Sequence, residues 1–123
     1  VFAGVDAERM FRETGVDGIM MGRGVLSNPW LIRQCWDHLR GADVKQVGLA
    51  ERAEFMIRFL QQVSTEAPPA VALGKLKKIG GYLSKGFPAS TQLRARMHGA
   101  HSVPEFFEAV QTFLFSDSQQ QAE

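Results

Sequence analysis

Asp17-Gly-Ile-Met-Met-Gly-Arg-Gly-Val-Leu-Ser-Asn-Pro-Trp30 is the stretch on which the fold turns. Ile19, Met20 and Met21 form an apolar run too short for a helix and bounded by glycines, the pattern of a strand over residues 17–22 buried on both faces. Gly22 and Gly24 flank Arg23, so the backbone is free to turn sharply and to approach a ligand without Cβ interference. Ser27 or Asn28 is placed to cap a following helix, and Pro29 suits its first turn, where a missing N–H costs nothing. A strand leading through a glycine turn into a helix opening gathers backbone N–H groups on an anion, usually a phosphate. Gly22, Arg23 and Gly24 are therefore the candidate anion-binding residues.

Upstream, residues 5–13 have helical character, with Ala7, Met10 and Phe11 on one face and Gly15 as a natural stop. Helix, turn, buried strand, glycine loop, helix is the grammar of an α/β protein, yet one strand needs neighbours and no second strand is evident. Residues 29–39 read as a helix with Leu31, Cys35 and Leu39 on one stripe. After a polar connector the pattern becomes wholly helical. Leu49, Ala53, Met56, Leu60 and Val63 repeat at four and three residues until Pro68-Pro69, and Leu73, Leu76, Gly80 and Leu83 repeat the spacing up to Gly86-Phe87-Pro88. A shorter helix holds Leu93 and Met97. Ser102-Val-Pro-Glu105 is a capping box that opens a last helix cored by Val103, Phe106, Val110 and Phe113. The expected organisation is a mainly α chain: an α/β remnant over residues 1–44, a four-helix bundle over 45–116, and a polar, disordered tail over 117–123.

The 123 residues, 45% apolar and 22% charged, have ordinary globular composition with no run of membrane-spanning length. The amino-terminal residues lack the basic start and apolar segment of a secretory signal. The single cysteine, Cys35, excludes an internal disulfide and suits a reducing cytoplasm. The net charge of +1 conceals an asymmetry. Residues 67–104 hold six cations (Lys75, Lys77, Lys78, Lys85, Arg94, Arg96) and no acidic residue, while the rest carries eight basic against thirteen acidic side chains. Such clustering points to a polyanion, and Lys75, Lys78, Lys85 and Arg94 are the candidates for contact with an RNA backbone. Tyr82 is expected to plug the bundle core, and Trp30 and Trp36 to act as packing anchors. His98 and His101 lie three apart with no carboxylate or cysteine alongside, so no metal site is expected.

Taken together, the Gly-Arg-Gly turn followed by Asn-Pro-Trp, the run Lys77-Lys-Ile-Gly-Gly-Tyr-Leu-Ser-Lys-Gly-Phe-Pro88 and Gln92-Leu-Arg94 resemble the tRNA-dihydrouridine synthase family. The resemblance extends from Val1 to about Phe115. It implies an FMN-binding (β/α)8 TIM barrel followed by a helical domain that helps cradle tRNA, with NADPH as the usual reductant. Residues 5–13 then resemble the seventh barrel helix, residues 17–22 the last strand, and residues 29–39 the closing helix, so the chain resembles a carboxyl-terminal third. Gly22, Arg23 and Gly24 become the cofactor-binding residues, at the place where such barrels hold a phosphate. The family's proton donor is a cysteine in an earlier barrel loop. Cys35 does not match that position and has no nearby His or Lys in sequence to lower its pKa, so no catalytic residue is assigned and the isolated chain is expected to be inactive.

Two departures stand out: relatives often carry a His-x-x-aromatic-Tyr run where this chain has Ile79-Gly80-Gly81-Tyr82-Leu83, and a Pro-Gly-Ala turn where it has Pro88-Ala89-Ser90. Two rival readings are a stand-alone helical RNA-binding module and an FMN barrel acting on a free pyrimidine; the basic helical segment argues against the second. An unpaired strand near Ile19 is expected to leave apolar surface open or to promote self-association.

Overall fold

The computed structural model describes residues 1–121, with side chains through Phe115. The chain divides into two compact units, residues 1–47 and 48–123.

The first unit is built on α1 (Gly4–Thr14) and α3 (Leu31–Leu39), which pack against each other, with a short α2 (Arg23–Ser27) leading into α3. α1 lacks a side-chain N-cap at Ala3, and Asp6 compensates: its carboxylate accepts from the Phe2 and Ala3 amides at 2.9 and 3.0 Å. Those two bonds hold the Asp6 carboxyl below its ordinary pKa. Gly15 ends the helix at φ 69°, a left-handed cap that glycine adopts freely. Ala7, Leu31 and Cys35 form a small core, joined by Val1, Ile19, Met21 and Val25. α1 and α3 are also tied at their surface, where His38 Nε2 lies 2.6 Å from Glu8 Oε2.

The strand expected over residues 17–22 is not formed, and among the described residues there is no strand at all. The side chains nevertheless alternate as a strand's would, with Ile19 and Met21 packed on the core and Met20 93% exposed. A strand exists only as one member of a ladder, and these residues have no neighbouring strand to accept or donate. The expectation of burial on both faces therefore fails at Met20. Ile32 and Trp36, one turn apart on α3, are also exposed.

The second unit contains α4 (Leu49–Glu66), α5 (Pro69–Leu83), a 3-10 turn (Ser84–Gly86), α6 (Ser90–His98) and α7 (Val103–Gln121). Pro69 takes the first position of α5, and Ala67 before the proline pair is extended, as its neighbour's ring demands. The Ser102 hydroxyl accepts from the Glu105 amide, and the Glu105 carboxylate reaches back to the His101 amide. All four helices contribute to one core: Met56 and Leu60 from α4, Leu76 and Leu83 from α5, Leu93 and Met97 from α6, Phe106, Val110 and Phe113 from α7. The tail expected over residues 117–123 is carried in α7 as far as Gln121, and its last two residues lie outside the described residues.

Gly80 is buried where α5, α6 and α7 meet, and a Cβ there would lie 2.9 Å from Met97 Sδ and 3.3 Å from the Phe106 ring. Ala89, at the entry to α6, is left-handed with φ 55°, a conformation that costs an L-residue roughly 1–2 kcal/mol. Ala89→Gly is expected to raise unfolding free energy by about 0.5–1 kcal/mol, because relief of that strain outweighs the added freedom of the unfolded chain. Phe106→Ala should lower it by about 3–5 kcal/mol by emptying the core centre. Urea denaturation measures both, and an unchanged midpoint for either would contradict this packing.

Candidate functional site

In the first unit, α2 begins at Arg23, within the glycine turn that the spacing of Gly22 and Gly24 predicts. The Val25 amide donates to the Gly22 carbonyl at 3.2 Å and the Asn28 amide to the Gly24 carbonyl at 2.9 Å. The amides of Gly22, Arg23 and Gly24 precede the first available carbonyl and have no acceptor among the described residues. Gly22 and Arg23 are exposed; Gly24 is buried. The glycine at 24 serves packing, since a Cβ there would run into the Val1 carbonyl oxygen and lie 2.8 Å from Leu31 Cδ2. Gly22, at φ −104°, is open on its Cβ side and leaves clear space beside the turn.

Asn28 sets the exit from that turn. Its side-chain oxygen accepts from the Trp30 amide at 3.2 Å, and its amide nitrogen donates to Gln34 Oε1 at 2.7 Å. Gln34 in turn donates to the Lys45 carbonyl at 3.3 Å. The Asn-Pro-Trp signature thus works as an Asx turn that delays the helix to Leu31, two residues after the start expected at Pro29.

In the second unit the cations fall into a pattern. Lys75, Lys78 and Tyr82 follow helical spacing along α5, and Lys85 continues that face into the 3-10 turn. Lys77, Lys78, Tyr82, Lys85, Arg94 and His98 line a cleft of about 230 Å³ between α5 and α6. Three of the four sequence-designated cations meet there, and Lys75 lies one turn beyond. The Arg94 guanidinium is fixed by the Ser84, Ser90 and Thr91 hydroxyls at 3.3–3.4 Å. Those partners are neutral, so its charge stays uncompensated. Lys77 donates to the His98 carbonyl at 2.9 Å, joining the end of α6 to α5. Arg12, His38, Arg40 and Arg58 stand in ion pairs, and none of these pairs engages a cation between Lys75 and Arg96.

Several sequence readings change. Tyr82 is half-buried at the cleft, outside the core it was expected to plug, and Lys85 Nζ sits 5.6 Å from its ring centroid. Lys77 and His98 also belong to the cleft, although neither was among the preferred candidates. Arg96 turns away, its guanidinium 5.3 Å from the Phe113 ring. Cys35 is buried, and loss of solvation, with the charge of Asp6 second, pushes its thiol above the ordinary range.

A family model described as "Dihydrouridine synthase (Dus)" matches residues 1–119. A probable tRNA-dihydrouridine synthase of Aquifex aeolicus is 32% identical over 106 residues, covering 86% of this chain and 32% of that protein. A tRNA-dihydrouridine(16) synthase of Aquipseudomonas alcaligenes is 34% identical over 94 residues, covering 76% of this chain and 30% of its own length. A protein of the same description from Neisseria meningitidis is 30% identical over 93 residues. The chain spans about a third of the length of these curated relatives.

The buried thiol gives a test of the first unit. Cys35 should resist iodoacetamide in the native protein at pH 8 and react fully in urea. Because folding raises its pKa, its contribution to stability is complete below the unfolded thiol's value of about 8.5 and is lost as pH rises through the folded value. Native labelling at the rate of a free thiol would contradict that burial.

Proposed function

The chain belongs to the dihydrouridine synthase family, and from that premise we propose that it forms the carboxyl-terminal part of an FMN-dependent tRNA-dihydrouridine synthase. In this reading the first unit is the end of a (β/α)8 TIM barrel and the second a tRNA-binding helical bundle. The family match over residues 1–119 carries the proposal. Three structural features support it. The alternation of Ile19, Met20 and Met21, and the exposed apolar side chains of Met20, Ile32 and Trp36, suit a segment that neighbouring barrel strands and helices cover. The turn at Gly22 presents free amides, and the cations from Lys75 to Arg96 carry no acidic counter-charge.

The residues at the turn fit the phosphate of FMN. Gly22 and Arg23 offer exposed N–H groups and the Arg23 side chain a charge partner, while buried Gly24 fits only as a backbone donor. FMN bound there and reduced by NADPH would supply the hydride that, with a proton from elsewhere in the enzyme, saturates the uridine C5–C6 bond. Cys35 is not that proton source, since its thiol is buried in the core of the first unit. Lys75, Lys78, Lys85 and Arg94 hold the tRNA backbone while the target uridine leaves its stack, a step the chemistry requires because a stacked base is shielded. Residues 1–123 thus anchor cofactor and substrate, and alone they do not turn over.

Binding of transcribed tRNA to the chain, followed by anisotropy across a salt series, tests the RNA assignment. Lys78→Ala with Arg94→Ala should weaken binding at least about tenfold and flatten the log–log salt slope by roughly 2. Arg58→Ala, which removes a cation paired with Glu54 at 2.8 Å, should change little. Equal losses for both would contradict the assignment. In the full-length enzyme, Arg23→Glu should lower flavin retention roughly tenfold, as expected when one charge-assisted contact to phosphate is reversed; unchanged retention would remove Arg23 from the phosphate site.

A further inference from the structure

The adjacent glycines of α5 do different work. Gly80 faces the core, where a Cβ would press on Met97 and Phe106. Gly81 lines the basic cleft, and a Cβ there would meet nothing within 4 Å. Its backbone is helical, where glycine is less favourable than alanine. Packing does not demand glycine at 81, and its bare backbone leaves the cleft floor open.

That floor is framed on three sides. The Ser84 hydroxyl, fully buried, donates to the Gly81 carbonyl at 2.7 Å and accepts from Arg94, which places the guanidinium at the cleft rim. Lys78 and Lys85 flank the opening, and the Tyr82 ring stands among them with its hydroxyl unbonded among the described residues. The cleft, at about 230 Å³, is open to solvent and has room for one segment of a polymer. Cations on the rim suit a backbone phosphate, and an aromatic face suits a base with no stacking partner of its own.

We propose that the cleft floored by Gly81 seats a single unpaired nucleotide of RNA, its phosphate held by Lys78, Lys85 and Arg94 and its base laid on Tyr82. This rests on the reading of the second unit as an RNA-binding domain. It adds that the domain recognises a splayed nucleotide rather than a duplex backbone alone, and that Gly81 keeps the seat open.

The test compares the chain with its Gly81→Leu, Gly74→Leu, Tyr82→Leu and Tyr82→Phe variants. Gly74 lies on the same helix with open space at its Cβ position and outside the cleft, so Gly74→Leu controls for a change in helix stability. The probes are octauridylate, an abasic ribose-phosphate octamer, a perfectly paired RNA duplex and tRNA. Gly81→Leu should melt no lower than the parent yet weaken octauridylate at least about tenfold, while Gly74→Leu binds normally. Tyr82→Leu should weaken octauridylate roughly five- to tenfold and leave the abasic octamer within twofold, with Tyr82→Phe retaining binding. Duplex affinity should be unaffected by either Gly81→Leu or Tyr82→Leu. If Lys78→Ala and Arg94→Ala weaken tRNA while Gly81→Leu and Tyr82→Leu leave octauridylate unchanged, the seat is wrong and the RNA-binding reading stands. Should the charge variants leave tRNA affinity untouched, both fall. Equal losses on octauridylate and on the abasic octamer would also overturn the base-stacking assignment.

Discussion

The second unit depends on the approach of Met97 and Phe106 to the bare backbone at Gly80. That contact lets α6 and α7 settle directly on α5, and α6 carries Arg94 and His98 while α5 carries Lys77, Lys78 and Tyr82. The basic cleft is thus a product of core packing. Were α6 displaced by one side-chain layer, the cations would remain on the surface but no longer converge. Two further bonds hold the same junction: Lys77 to the His98 carbonyl, and Arg94 to the buried Ser84 hydroxyl.

Clustered positive charge works against folding, and the arrangement keeps that cost small. The cations sit at or near the surface, where water and salt screen repulsion within about 8–10 Å. Arg94 is the most enclosed of the four candidates, and it alone is held by three hydroxyl groups. Hydroxyls satisfy the guanidinium without neutralising it, so the charge stays available to an anion. A carboxylate in the same place would have offered a firmer bond and cancelled the field. The first unit shows the opposite arrangement, with Glu8 between Arg12 and His38 and Asp37 against Arg40.

Much of this was legible in the sequence. Spacings of three and four residues located the core faces of α4, α5 and α7, and prolines and the capping box marked their limits, because each signal is local and each helix satisfies its own backbone. Residues 17–22 mark where locality ends: alternation is encoded in Ile19, Met20 and Met21, but the ladder that makes a strand lies in other segments. The Gly-Arg-Gly turn was visible as a motif, whereas the partner of Gly24, the Val1 carbonyl, is a tertiary contact that spacing does not reveal. The charged cluster was apparent from composition, yet only the packing of α6 on α5 selects Lys77 and His98 and excludes Arg96. Tyr82 was expected in the core as a large aromatic, yet it shares a helix face with Lys75 and Lys78 and so stands at the rim.

In the reading proposed here these parts share a purpose: amides at Gly22 and Arg23 for a cofactor's phosphate, and cations of the second unit for the substrate's backbone. The most direct measurement is the dihydrouridine content of total tRNA, by mass spectrometry of nucleosides, from cells in which the full-length gene is deleted and then restored. The account predicts that dihydrouridine falls on deletion, at a defined position, and returns with the intact gene. Dihydrouridine unchanged at every tRNA position after deletion would contradict it.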